Sequence, residues 1–271
     1  MNNLSKLINN ASLLTIESSE SLLDRDANFL ISGEGSYNIE VGEGVSTQLI
    51  VVNGAQSSVD INIRQGAKLK LVEFNQDCAC SKVKVSQHEG SELNLLSIQL
   101  NSSKSDKFID LIGENALCKL NTLDMISSDE QSYSNIIVKH SVAKCESAVQ
   151  SKILVSGSSK TELKVRAIVV EGAQQSVANQ SLRSIELNDG ARAKVWPELE
   201  IYADDVKCSH GATMGQIDSE AILYMRQRGL SLEQARQLQM KGFIADVVSS
   251  VSIESVDEII EEAINMKFNT L

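Results

Sequence analysis

The chain has 271 residues, 42% of them hydrophobic and 4% aromatic, with a formal net charge of −11. That length fits one large domain, or one domain with a smaller appendage, around a core of Leu, Ile, Val and Ala in thin stacked layers. The acidity disfavours nucleic-acid phosphate as a partner, and no apolar run reaches the roughly 18 residues of a membrane span. The opening MNNLSKLINN lacks the apolar core of a signal peptide, which leads us to expect a cytoplasmic protein. The five cysteines, Cys78, Cys80, Cys118, Cys145 and Cys208, are odd in number and widely spaced, which favours free thiols in a reducing compartment.

Residues 1–26 read as a short N-terminal segment, with a possible helical turn from Ser19 to Asp26. From Asn28 onward the pattern changes. The runs YNIEV, TQLIVV, SVDINIR, KLKLVEF and KVKVSQ alternate apolar and polar residues, the mark of strands with one buried face. Gly54, Gly66 and Gly90, and later Gly172 and Gly190, punctuate these runs, and several precede a strand-like segment. A recurring small turn residue followed by a short strand suggests a solenoid, because one coil cannot bury its apolar face alone and must stack on the next. The rival architecture is an antiparallel β-sandwich, in which Asn53-Gly54 and Asp189-Gly190 would form hairpins.

Cys78-Ala-Cys80 is a C-x-C pair that could hold a soft metal if both thiols shared one strand face, or could be two half-buried thiols at a turn. Cys118 and Cys145 sit in strand contexts and read as core thiols, while His88 and His140 read as surface or strand-end residues.

After Gly215 the apolar period lengthens to that of helices. Asp218 is placed to cap a first helix carrying Ala221, Ile222 and Met225, which Gly229 would end. Ser231-Leu-Glu-Gln234 is a capping box opening a second helix whose face would include Leu232, Ala235, Leu238, Phe243 and Val247. Ser255-Val-Asp-Glu258 repeats the capping-box pattern before a third. The expected organisation is therefore residues 27–213 as a β core and 214–271 as a small C-terminal helical domain.

The changeover holds a cluster of chemically capable residues. Cys208 and His210 are two apart, so on a strand they project from one face, a sensible pair for a soft metal. Each also has an ordinary structural reading, as a buried small side chain and a strand-end histidine. Asp204 and Asp205 are hard oxygen donors, better suited to hydrogen bonding at an interface or turn. The chain has no G-x-x-x-x-G-K-[ST] and no G-x-G-x-x-G, so no ATP site is expected on it.

The run EIYADDVKCSHGATMGQIDSEAILYMRQRGLSLEQARQLQMKGFIADVV resembles the C-terminal region of the SufB/SufD family of iron–sulfur cluster assembly proteins. The specific part is ADDVKCSHGAT, a Gly-Gln, and a helix ending in R-x-R-G. The resemblance implies a right-handed parallel β-helix followed by helices. It also implies edge-to-edge pairing through the last coils with a SufB-type chain or a second copy, and docking of a SufC-type ABC ATPase by the C-terminal helices. Carried over residue by residue, it places His210, with Cys208 beside it, against a transient cluster at the subunit interface. Asp204 and Asp205 also fall at that interface, and Leu223, Met225, Arg226, Arg228, Gly229 and Leu230 in the region near the ATPase.

Two departures follow from the same resemblance. Typical members carry a long N-terminal helical domain, whereas residues 1–26 are all that precede the expected first strand here. The essential SufB cysteine, counted back from Pro197, falls on Leu182, and Ser209-His210-Gly211 replaces E-H-E, so the wording is that of SufD. The expected function is a non-catalytic scaffold subunit. A homodimeric scaffold that itself holds the cluster, or a plain β-solenoid binding module, are the alternatives.

Overall fold

The computed structural model describes residues 13–271, apart from the side chain of Ser255. The MNNLSKLINN reading and the first part of the 1–26 segment lie outside the described residues. The strands are β1 (Leu14–Thr15), β2 (Glu20–Leu23), β3 (Asn28–Val41), β4 (Ser46–Ile63), β5 (Lys68–Asn75), β6 (Ala79–Gln87), β7 (Glu92–Gln99) and β8 (Ser103–Leu111). They continue with β9 (Leu117–Ile126), β10 (Gln131–His140), β11 (Glu146–Val155), β12 (Lys160–Val169), β13 (Val177–Glu186), β14 (Arg192–Ile201) and β15 (Lys207–Gly215). Three helices follow, α1 (Ser219–Gln227), α2 (Leu232–Val248) and α3 (Glu254–Phe268).

Every strand pairing among the described residues is parallel, in the order β14-β12-β10-β8-β6-β4-β5-β7-β9-β11-β13-β15. Consecutive strands therefore alternate between two walls, and the chain winds as a parallel β-helix. The long β4 turns the corner itself, its first half beside β5 and its second half beside β6. The antiparallel sandwich is excluded, and with it the Asn53-Gly54 hairpin: Gly54 lies inside β4, packed against the Gly33–Gly35 irregularity of β3. The segment Glu20–Leu23 is likewise a strand and not a helical turn, because it completes a rung on β3 and buries Leu23 inside the solenoid.

The turns explain the glycine punctuation and its limit. Gly44, Gly66 and Gly90 stack at one corner with φ of +67°, +66° and +62°. Each N–H donates to a carbonyl of the coil above: Gly44 to Gln65, Gly66 to Glu89, Gly90 to Glu114. Later coils fill the same left-handed position with Asn115, Lys144 and Gln175, all at φ +59°. Rung bonds from Lys144 to Gln174 and from Gln175 to Asp205 hold that conformation in side chains that rarely adopt it. At another corner Gly157 has φ +67°, and a methyl there would sit 2.7 Å from the backbone N and O of Ser128. Gly157→Ala should therefore lower stability by at least about 1 kcal/mol, whereas Gly172→Ala, with open space and no left-handed φ, should be near neutral; urea denaturation of the pair checks this.

The core has two parts. One fills the solenoid, with Leu49, Ile61, Leu71, Leu95, Leu120, Ile153 and Val165 among its buried members. The other lies outside it, where α2 and α3 cover one wall: Val72, Phe74, Leu96, Ile98, Met125 and Leu154 pack against Met240, Ile244, Val247, Ile260, Ile264 and Phe268. The covered strands therefore change pattern along their length, from alternation to continuous burial, as in KLKLVEFN and ELNLLSIQ. Ion pairs fix the helices in place, Lys152 Nζ to Asp246 Oδ2 at 3.1 Å and Lys267 Nζ to Glu130 Oε2 at 2.6 Å.

Helix starts follow the expected chemistry in two cases. Asp218 Oδ1 accepts from the N–H groups of Glu220 and Ala221, and Ser231 and Gln234 form a full reciprocal capping box. The third helix does not start at Ser255. The cap of α3 is Ile253, buried in the outer core, and Asp257 reaches back to accept the Ile253 N–H at 2.9 Å and the Ser252 hydroxyl. Burial of Val251 and Ile253 sets the register and overrides the local Ser255 pattern. On α2 the buried face is Ala235, Met240, Ile244 and Val247, while Leu232 and Leu238 point outward, Leu238 53% exposed.

Candidate functional site

The solenoid ends in a coil that nothing covers among the described residues. β14 pairs only with β12 and β15 only with β13, so each presents a free backbone edge. In-register rows show which side chains face the axis. Buried Ala178, Gln180, Leu182 and Ser184 of β13 stand beside Cys208, His210, Ala212 and Met214 of β15. Buried Leu163, Val165, Ala167 and Val169 of β12 stand beside Val195, Pro197, Leu199 and Ile201 of β14. In the preceding coils these rows are core. In the last coil they are the floor of an open mouth, with Met214 64% exposed, Ile201 exposed and Tyr202 63% exposed at the adjoining corner.

Cys208 and His210 share that inward-facing row, two residues apart. Cys208 is half-buried, and burial pushes its thiol pKa up, against a smaller opposing contribution from the Ala178 backbone. The thiol is therefore protonated at neutral pH, and a metal ion or a nearby cation must displace its proton before the sulfur acts as a thiolate. His210 is exposed. Asp204 and Asp205 are exposed in the turn between β14 and β15, away from that row. The Asp205 backbone closes the last coil on the one before it: its N–H donates to Gln174 Oε1 at 2.9 Å, and its carbonyl accepts from the Gln175 N–H at 2.5 Å.

Three residues separate β15 from α1. Leu223 is 56% exposed, Met225 and Leu230 are half-buried, and Arg226, Arg228 and Gly229 are exposed. Gly229 has φ +98° and ends the helix, with the Leu230 N–H donating to the Met225 carbonyl at 3.3 Å. Arg228 lies over the ring of Tyr224, 4.9 Å from its centroid. Sequence reasoning missed exposed Tyr224, and it missed an apolar groove of about 480 Å³ between α2 and α3, lined by Ile244, Val248, Val251, Ile260, Ile264 and Phe268.

Residues 18–243 match the family described as SUF system FeS cluster assembly, SufBD core domain. The chain belongs to that family. Among SufBD relatives, the iron–sulfur cluster assembly protein SufD of Escherichia coli is 32% identical over 148 residues, covering 55% of this chain and 35% of the relative. Protein ABCI7, chloroplastic, of Arabidopsis thaliana is 29% identical over 201 residues, covering 70% and 42%. SufD of Plasmodium falciparum is 28% identical over 177 residues, covering 64% and 12%. The chain thus matches less than half the length of each of these relatives.

Elsewhere in this SufBD chain the remaining cysteines are free thiols. Cys118 and Cys145 are buried, as expected, and burial pushes the Cys118 thiol up to about 12. Cys78 sits in a turn at φ +60° and Cys80 on β6, so the two do not share a strand face. No group of three or more His, Cys, Asp or Glu among the described residues could hold a metal ion. His140 is fully buried at the end of β10, its pKa pushed down to about 4 by burial, with Nε2 2.8 Å from Ser147 Oγ. It is a neutral core histidine. No helix of the described residues is long and apolar enough to cross a membrane.

A feature that the sequence reading did not find runs through the interior. Glu73 and Lys107 form a buried ion pair at 2.7 Å. Glu73 also accepts from Asn53 Nδ2 at 2.8 Å and Ser97 Oγ at 2.7 Å. Farther along the axis, Asp124 is buried and accepts from Gln99 Nε2 and Ser132 Oγ, both at 3.3 Å. Single polar letters in alternating runs, Glu73 in KLKLVEF and Lys107 in DKFIDL, give no sign that the solenoid interior is their destination.

Proposed function

We propose that this chain is a non-catalytic scaffold subunit of a SUF-type assembly complex, pairing through β14 and β15 with a SufB-type chain. The nascent iron–sulfur cluster is its cargo. The observation that carries the reading is the uncovered last coil: two free edges, exposed apolar side chains, and Cys208 and His210 together on the inward-facing row. An exposed apolar mouth flanked by unpaired strands calls for a partner that supplies strands and closes it. Thiolate and neutral imidazole are suitable soft ligands for iron, and a half-site of two ligands is completed by residues from the facing chain. Asp204 and Asp205, exposed in the turn between β14 and β15, form the rim of that interface in this reading.

ATP enters through a second partner, a SufC-type ABC ATPase docked on the C-terminal helices, with Leu223, Met225 and Arg226 of α1 and Arg228, Gly229 and Leu230 just after it in the contact. ATP acts on the scaffold only by binding its open and closed arrangements with different affinity. The working compartment is the cytoplasm. The test is a complex reconstituted with SufB-type and SufC-type partners. His210→Ala should leave the fold and co-purification intact and lower the rate of cluster assembly; assembly at the parental rate would remove His210 from the mechanism.

The same mouth supports a second reading, in which two copies of this chain face each other and hold the cluster between their Cys208 and His210 pairs. Anaerobic reconstitution of the isolated protein with iron and sulfide separates the two. A brown chromophore lost in Cys208→Ser favours the homodimer, and a colourless protein favours the SufD-like role.

A further inference from the structure

Directly beneath His210, on the next rung of the same row, stands Gln180. It is 5% exposed. Its Nε2 donates to the Glu198 carbonyl of β14 at 3.1 Å, which ties the two walls together just below the mouth. Its Oε1 is buried and has no hydrogen-bond partner. The amide is therefore fixed by its donor end while its acceptor end is left open, and a buried acceptor without a donor is costly. The rungs below in the same row hold Val149 and Leu120, whose side chains have no donor to offer. The one ring N–H within a rung of Oε1 along this row belongs to His210. Rungs of a sheet are about 4.8 Å apart, so an exposed imidazole stacked on the amide meets Oε1 by a side-chain rotation alone.

We infer that Gln180 is a positioning residue for His210: Oε1 accepts one ring N–H, fixes the neutral imidazole in a single tautomer, and leaves the other nitrogen's lone pair directed out of the mouth. A ligand histidine is commonly oriented this way, its second nitrogen donating to a fixed oxygen. The use of that lone pair toward iron rests on the scaffold reading above. The Gln180–His210 contact does not, because it follows from the row and the unpaired acceptor.

The test uses the isolated full chain labelled with ¹⁵N-histidine. It has three histidines, and the His210→Ala spectrum assigns the signal. At pH 8 the parental His210 should show one dominant tautomer in its ring ¹⁵N shifts. Gln180→Leu, and Gln180→Met as the variant closest in shape, should lose that dominance, while Gln180→Glu, whose carboxylate accepts the same bond, should keep it. Unchanged His140 signals report an intact interior. Equal tautomer distributions in the parent and in both apolar variants would overturn the inference and leave the scaffold reading standing. A single parental tautomer combined with normal assembly by His210→Ala would do the reverse.

Discussion

Replacing Lys107 by methionine should destabilise the protein by about 3–5 kcal/mol, the largest loss expected from any single surface-neutral change here. Lys107 and Glu73 are both buried, 2.7 Å apart. Burial pushes the Glu73 pKa up, but the charge and hydrogen bond of Lys107, with hydroxyl donors from Ser97 and Ser81, outweigh it and hold the carboxyl below its ordinary range. Without Lys107 that carboxylate is an uncompensated charge in the solenoid, or must take up a proton to fold. The loss should therefore deepen between pH 4 and pH 7, as the unfolded chain releases a proton that the folded variant retains. Adding Glu73→Gln to Lys107→Met should recover most of it, because a neutral amide can keep the Asn53 and Ser97 neighbourhood without a counter-charge. Glu73→Gln alone should cost less than Lys107→Met, since the Asp124 carboxylate also feels the Lys107 charge and can balance it. Urea denaturation of the three variants at two pH values measures the cycle. A Lys107→Met protein as stable as the parent would mean the pair is not in place in the folded chain.

The β-helix was legible where one physical signal dominated. Alternation in SVDINIR and KVKVSQ marks strands with one buried face, and Gly66 and Gly90 mark stacked corners. The signal fades because later corners use Asn115, Lys144 and Gln175 in the same conformation, and because the coil lengthens. Lys68 lies beside Glu92, an offset of 24 residues, whereas Glu146 lies beside Val177, an offset of 31. A drifting period set by non-glycine turns leaves little for a sequence pattern to hold. The outer core was half-written: LNLLSI abandons alternation just where α2 and α3 cover the wall, but a short apolar run alone does not say whether a helix or a second sheet lies above it. Tertiary burial also overrode local capping chemistry at Ser255, where Val251 and Ile253 fix the start of α3.

The site divides along the same line. Two-residue spacing was enough to put Cys208 and His210 on one face, because parity on a strand is a local property. Which residue lies beneath them is not local. Gln180 meets His210 only through a 30-residue offset between β13 and β15, and no feature of QSLRSIEL announces it. The same offset makes Leu182 and Ala212 neighbours, so the position where the resemblance counts the SufB cysteine is buried in the penultimate rung, directly under the mouth.

Asp124→Asn should stabilise the protein at neutral and alkaline pH by about 2–3 kcal/mol, and the gain should vanish by about pH 4. Burial pushes the Asp124 pKa up from 3.8 to about 6, against smaller opposing contributions from the Lys107 charge and the hydroxyls of Ser132 and Thr161. A carboxyl whose folded pKa is raised favours the folded state fully below its unfolded value. That contribution is lost as the pH rises from about 4 through 6, and above 6 the parent carries a buried carboxylate whose desolvation the Lys107 charge and its hydrogen bonds only partly offset. Asparagine keeps the acceptor for Gln99 and removes the charge, so the variant's stability should lack this slope. The measurement is the midpoint of urea unfolding for both proteins from pH 4 to pH 8. Parallel curves across that range would mean that Asp124 stays ionised throughout, and that the one ammonium of Lys107 is shared by two carboxylates instead of belonging to Glu73. Combining Asp124→Asn with Lys107→Met then decides between these states: the two effects add if Asp124 is neutral in the parent, and are strongly coupled if it is charged.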